Sequence, residues 1–99
     1  MRYANSYAEK RAFGEALRRK RLSKNLSQAD LASLAGAAAT SISKYEYSGM
    51  GVTMLISLNI VDALDWSIDE WCAEAKTIYD KSEWKHLGER GRRKQQSNE

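Results

Sequence analysis

Side chains able to do covalent or acid–base chemistry are few and scattered in this 99-residue chain, with one Cys (Cys72) and one His (His86). Paired carboxylates, a Ser/His or Cys/His set, metal-ligand spacing and a glycine-rich phosphate loop are all missing, so the expectation is no enzyme, no metal and no cofactor. A lone Cys excludes an internal disulfide and fits a reducing compartment such as the cytoplasm. His86 stands in a charged stretch and reads as a surface residue. What does cluster is positive charge. Residues 1–24 hold eight Lys/Arg against Glu9 and Glu15, residues 25–75 hold Lys44 against seven acids, and residues 76–99 hold seven bases against four acids. A basic start and a basic end thus flank an acidic middle, while the whole chain carries only +3. This distribution fits a polyanion such as nucleic acid, and it also fits a well-solvated surface.

The elements that would position these charges read as helices. Hydrophobic residues make up 42% and charged residues 29%, with no Pro and six Gly, which suits one soluble all-helical domain. No run approaches the roughly 18 to 20 apolar residues of a membrane span, and the start MRYANSYAEKR has no apolar signal core. Ser6 and Glu9 have capping-box spacing ahead of a helix over residues 7–23, with Ala12, Phe13, Ala16 and Leu17 inward. Asn25 closes it. Ser27 caps a second helix with Leu31, Ala32, Leu34 and Ala35 inward, and Gly36 stops it. A third helix spans residues 38–47, with Ile42 and Tyr45 inward. A fourth spans residues 53–64, packed through Met54, Leu58, Val61 and Leu64 or Ile60. Ser67 caps a fifth, with Ile68, Trp71 and Cys72 on one side. Residues 76–87 are expected to extend that helix or form a sixth. Residues 88–99 read as a basic disordered tail. The domain proper is therefore expected over residues 1–75.

The informative stretch is residues 28–45, QADLASLAGAAATSISKY. Two helices joined at a steep angle by a very short turn need a small residue inside the first, and Ala32 is there. The turn needs a residue that accepts positive φ four positions later, which is Gly36. A β-branched apolar residue must then lock the second helix inward, and Ile42 stands six residues beyond Gly36. Leu31, Ala35 and Tyr45 complete the buried side.

In these residues the chain resembles the lambda repressor/Cro-like (XRE-type) helix-turn-helix family. The resemblance covers residues 13–71 and also rests on Leu17-Arg18, Arg21, the run from Leu26 to Ala32, Ile42-Ser43-Lys44-Tyr45-Glu46, Ala63-Leu64 and Ser67-Ile68-Asp69-Glu70-Trp71. It implies a five-helix domain whose third helix enters the major groove of double-stranded DNA. By position, Ala38, Ala39, Thr40, Ser43 and Lys44 would then face base edges. Thr40 and Ser43 offer hydroxyls, Ala38 and Ala39 offer methyl contacts, and Lys44 offers a donor to guanine or phosphate. Phosphate contacts would come from Ser27 and Gln28 at the start of the second helix, with Arg18 and Lys24 nearby. The loop Met50-Gly51-Val52 lacks the base that the family often carries, so Tyr47 and Ser48 are the substitutes there. Arg21 and Glu46 are read as the family's structural ion pair.

One such motif covers a half-site, so a homodimer on a palindromic operator is implied. The surplus aromatic and apolar mass at Trp66, Ile78, Tyr79, Trp84 and Leu87 is the expected dimer interface. The function this implies is a sequence-specific DNA-binding transcriptional regulator, a repressor, in the cytoplasm and on the nucleoid. The alternative is an antitoxin-like or regulatory protein-interaction module with weak DNA reading.

Overall fold

A computed structural model describes residues 7–48 and 52–81. They form five helices: α1 (Tyr7–Ser23), α2 (Gln28–Ala35), α3 (Ala39–Ser48), α4 (Met54–Ala63) and α5 (Ile68–Lys81). Ser6, the tip of the α3–α4 loop and residues 82–99, including Trp84 and Leu87, lie outside the described residues.

Among the described residues, three of the four connections contain a left-handed residue. Asn25 has φ 58°, Gly36 has φ 70° and Asp65 has φ 52°. This conformation lets the next amides fold back on the last helical carbonyls. Leu26 N donates to Arg21 O at 3.3 Å, Ala37 N to Ala32 O at 2.9 Å, and Trp66 N to Val61 O at 2.8 Å. After Asn25 and Asp65 the chain repeats one device, an apolar residue and then a capping serine. Ser27 Oγ accepts from Asp30 N at 2.9 Å, and Ser67 Oγ accepts from Glu70 N at 3.1 Å.

The core is built around α1, which lies against both α3 and α5. Ala8, Ala12 and Ala16 are small enough to bring those helices close, and Leu17 is fully buried among them. Leu31, Ile42, Ile60 and Leu64 fill the centre from α2, α3 and α4. Gly14 is a close-approach position. A Cβ there would lie 2.3 Å from the Glu46 carbonyl oxygen and 2.9 Å from that of Tyr45, so only glycine lets α1 and α3 cross this tightly. The other end of the core is aromatic. Trp71 meets Phe13 edge-on at 6.2 Å, stacks on Trp66 at 5.7 Å and donates its indole N–H to the Phe13 carbonyl at 3.0 Å.

Three sequence expectations need correction here. Leu34, Met54 and Leu58, expected inward, are exposed, because α2 and α4 bury only the side carrying Leu31, Ala32 and Ala35, or Ile60 and Val61. Of the two readings of residues 76–87, the extension is the one seen over the described residues, since α5 runs unbroken to Lys81. Ile78 and Tyr79, expected in a dimer interface, are 5% and 8% exposed and belong to the monomer's own core. Trp66 is half-buried and already occupied by Trp71.

Candidate nucleic-acid interface

The third helix has two unlike sides. Inward, Ile42 is fully buried and Glu46 is 4% exposed. Outward, Ala39, Thr40, Ser43 and Lys44 are all exposed, and Ala38 is exposed at the helix entrance. The spacing 39, 40, 43, 44 puts the outward side chains on one stripe. The Ala38 carbonyl accepts from Ser41 N and Ile42 N at 3.0 and 3.1 Å, so Ala38 stands at the N-cap with no capping side chain of its own.

Beneath α3, one charged group anchors the motif. Glu46 accepts from Arg21 twice, from Nε at 2.5 Å and Nη2 at 3.1 Å, and from Gln28 Nε2 at 3.1 Å. The remaining Arg21 amine donates to the Leu26 carbonyl at 2.6 Å. A single buried ion pair therefore ties α1, the α1–α2 turn, α2 and α3 together. Burying two charges is tolerable because the fork-on-carboxylate geometry and the added donors satisfy them. The Gln28 side chain, expected to face phosphate, is half-buried and turned toward Glu46. What the start of α2 offers to solvent is its N-terminal backbone and Ser27.

At that start, Ser27 and Asp30 cap each other, with Ser27 N donating to Asp30 Oδ2 at 3.1 Å. These bonds hold the Asp30 carboxyl below its ordinary range. Beside it opens a cleft lined by Arg11, Glu15, Arg18, Gln28, Glu46 and Tyr47. Arg18 is half-exposed and lies 3.6 Å from Glu15, a surface pair that leaves its guanidinium reachable. Lys24 is exposed three residues before Ser27. Tyr47 is 70% exposed, and the Ser48 hydroxyl bonds back to the Lys44 carbonyl at 3.1 Å.

Arg11 and Glu15 also line this cleft, and neither is among the site residues expected from the sequence. Arg11 donates to the Tyr47 carbonyl and sits 5.1 Å from the centre of the Tyr47 ring. It therefore holds the exit of α3 against α1. The spacing Arg11, Glu15, Arg18 on one side of α1 was the available signal, but only the fold shows that this side meets the end of α3. Elsewhere, Cys72 is half-buried, and burial together with the neighbouring Asp69 charge pushes its thiol up, away from a reactive thiolate. Among the described residues, no helix is long and apolar enough to cross a membrane.

No curated protein matches the chain in sequence. Among solved structures, the clp gene regulator ClgR from Corynebacterium glutamicum shares the fold at a TM-score of 0.69 and 24% identity, covering 73% of this chain and 77% of that one. The Helix-turn-helix family HTH_3 matches residues 17–71, more than half of the chain, including both helices of the motif and the ion pair beneath them. The chain belongs to this lambda repressor-like helix-turn-helix family, whose members are DNA-binding regulators.

Proposed function

We propose that the protein is a sequence-specific transcriptional repressor that binds a palindromic operator as a homodimer, in the cytoplasm and on the nucleoid. The observation that carries this reading is the two-sided α3, whose stripe Ala39, Thr40, Ser43, Lys44 is left to solvent by a buried anchor on the opposite side. In this reading Thr40 and Ser43 bond to base edges, Ala38 and Ala39 pack on thymine methyls, and Lys44 reaches guanine or phosphate. Ser27, the first amides of α2, Arg18 and Lys24 hold one stretch of backbone, and Tyr47 and Ser48 hold another. The stripe lacks Arg, Asn and Gln, so bidentate base contacts are scarce and sequence-dependent groove shape carries part of the selectivity. The role of ClgR as a gene regulator agrees with this assignment.

Selection of binding sites from random duplex DNA, followed by a salt titration of the winners, tests it. A palindromic consensus whose affinity falls steeply with salt is the expected result. Weak, sequence-blind binding would replace it with the protein-interaction module, in which the motif serves another protein.

A further inference from the structure

The buried Ile78 and Tyr79 take two residues out of the contact expected of the homodimer, and α4 offers another surface. Met54, Leu55 and Leu58 are 70%, 68% and 47% exposed, whereas Ile60 and Val61 of the same helix are buried. Positions 54, 55 and 58 fall on one side of a helix, so the three side chains form a continuous apolar stripe. Isolated exposed leucines need no explanation, but a grouped stripe of large apolar residues marks a contact surface.

Charge selects the occupant. In a two-fold contact every surface meets its own copy, so a patch of one sign repels itself. The outward side of α1 carries Arg18, Arg19 and Lys20 against Glu15, which pairs with both arginines, and so stays net positive, while the first turns of α5 expose Asp69, Glu70 and Glu74. Helix α4 carries one charge, Asp62, on the turn after Leu58. When two copies of α4 cross antiparallel at Leu55 and Leu58, each Asp62 points toward the N-terminal turn of the partner's α4, where a carboxylate is favoured. We infer that the exposed stripe of α4, centred on Leu55 and Leu58, is the contact through which two copies of this chain pair. The pair brings a second α3 to the DNA, and this consequence alone rests on the proposed function.

Sedimentation of the full chain without DNA tests the contact. The expected result is a concentration-dependent monomer–dimer equilibrium that Leu55→Glu with Leu58→Glu weakens at least about tenfold. The helical circular dichroism should not change, and Leu22→Glu, on an exposed leucine of α1, should pair normally. As a second measurement, Leu58→Cys on a Cys72→Ser background should oxidise to a disulfide-linked dimer, and Leu22→Cys on that background should not. A monomeric wild type, or a double glutamate variant that pairs like wild type, overturns the inference. A dimer that depends on α4 but binds no duplex leaves it standing and removes the repressor reading. A monomer that selects a DNA consensus does the reverse.

Discussion

Helices α2 and α5 begin with the same local chemistry and have different surroundings. Asn25-Leu26-Ser27 and Asp65-Trp66-Ser67 each place a left-handed residue, an apolar residue and a capping serine in order, and an acid follows three residues after the serine. Both helix starts therefore present amides with a partial positive charge. Around Ser27 stand Lys24, Arg18 and the buried Arg21–Glu46 pair, which reaches across to α3. Around Ser67 stand Asp69 and Glu70, both exposed, and the neighbouring Trp66 is stacked into the core with Lys20 5.7 Å from its ring. A capped helix start is thus common property of both turns. We propose that only the start of α2 serves as an anion site, with Arg18 and Lys24 as its bases beside the capping Asp30.

The strongest test of this contrast removes what lies beneath the first turn and not the second. Glu46→Ala leaves Arg21 buried without its carboxylate, and a loss of about 3–5 kcal/mol is expected. Glu70→Ala, on an exposed residue, should stay within about 0.5 kcal/mol of wild type. Equal melting temperatures for the two variants would break the comparison. Next in size, Gly14→Ala forces a methyl into the Glu46 carbonyl and should cost about 1–3 kcal/mol in urea unfolding, because neither backbone can give way easily. An unchanged midpoint would mean that the α1–α3 crossing is slack.

The two caps supply the third test. Ser27→Ala and Ser67→Ala should each cost about 1 kcal/mol of stability, yet only the first should weaken DNA binding. Equal binding by the two variants would make the start of α2 an ordinary helix end. In the same titration, Lys44→Ala should lower the salt slope by about one if it contacts phosphate, with melting unchanged.

The smallest effect concerns pH. Asp30 titrates below its ordinary value in the folded chain because Ser27 bonds to its charged form. A carboxyl lowered in this way adds stability that is present above its unfolded value and is lost as pH falls through its folded value. The stability difference between wild type and Asp30→Asn should therefore be full at neutral pH and vanish in acid, as followed by melts across that range. A difference that grows in acid would contradict the capping geometry.

Much of the fold is legible in the sequence. Five helices in order, ended at Asn25, Gly36 and Asp65 and begun at Ser27 and Ser67, are local statements about caps and left-handed residues, and the chain obeys them. The differences have separate local causes. The α4 segment MLISLNIVDA is apolar almost all round, so its periodicity does not say which side turns inward, and Met54 and Leu58 face solvent where the pattern allows either side. Leu34 failed similarly, because an eight-residue helix presents too few turns to define its buried side. Ile78 and Tyr79 looked surplus when counted against a domain ending at Ala75. Instead α5 continues along α1, where Ala8 and Ala12 leave room for large partners. At the candidate interface, the pairing of Arg21 with Glu46 was available through the family resemblance, whereas Arg11 was not, since its partner Tyr47 lies 36 residues away.

By itself the sequence determined the helices, their ends and the small-residue motif that bends α2 against α3, since these depend on groups within four or five positions of one another. Only the tertiary structure decided which side chains surround each capped helix start, which glycine must remain a glycine, and which apolar stripe stays exposed. Those outcomes depend on contacts between residues 25 to 58 positions apart, as from Arg21 to Glu46 and from Phe13 to Trp71, and no local pattern encodes where such pairs meet.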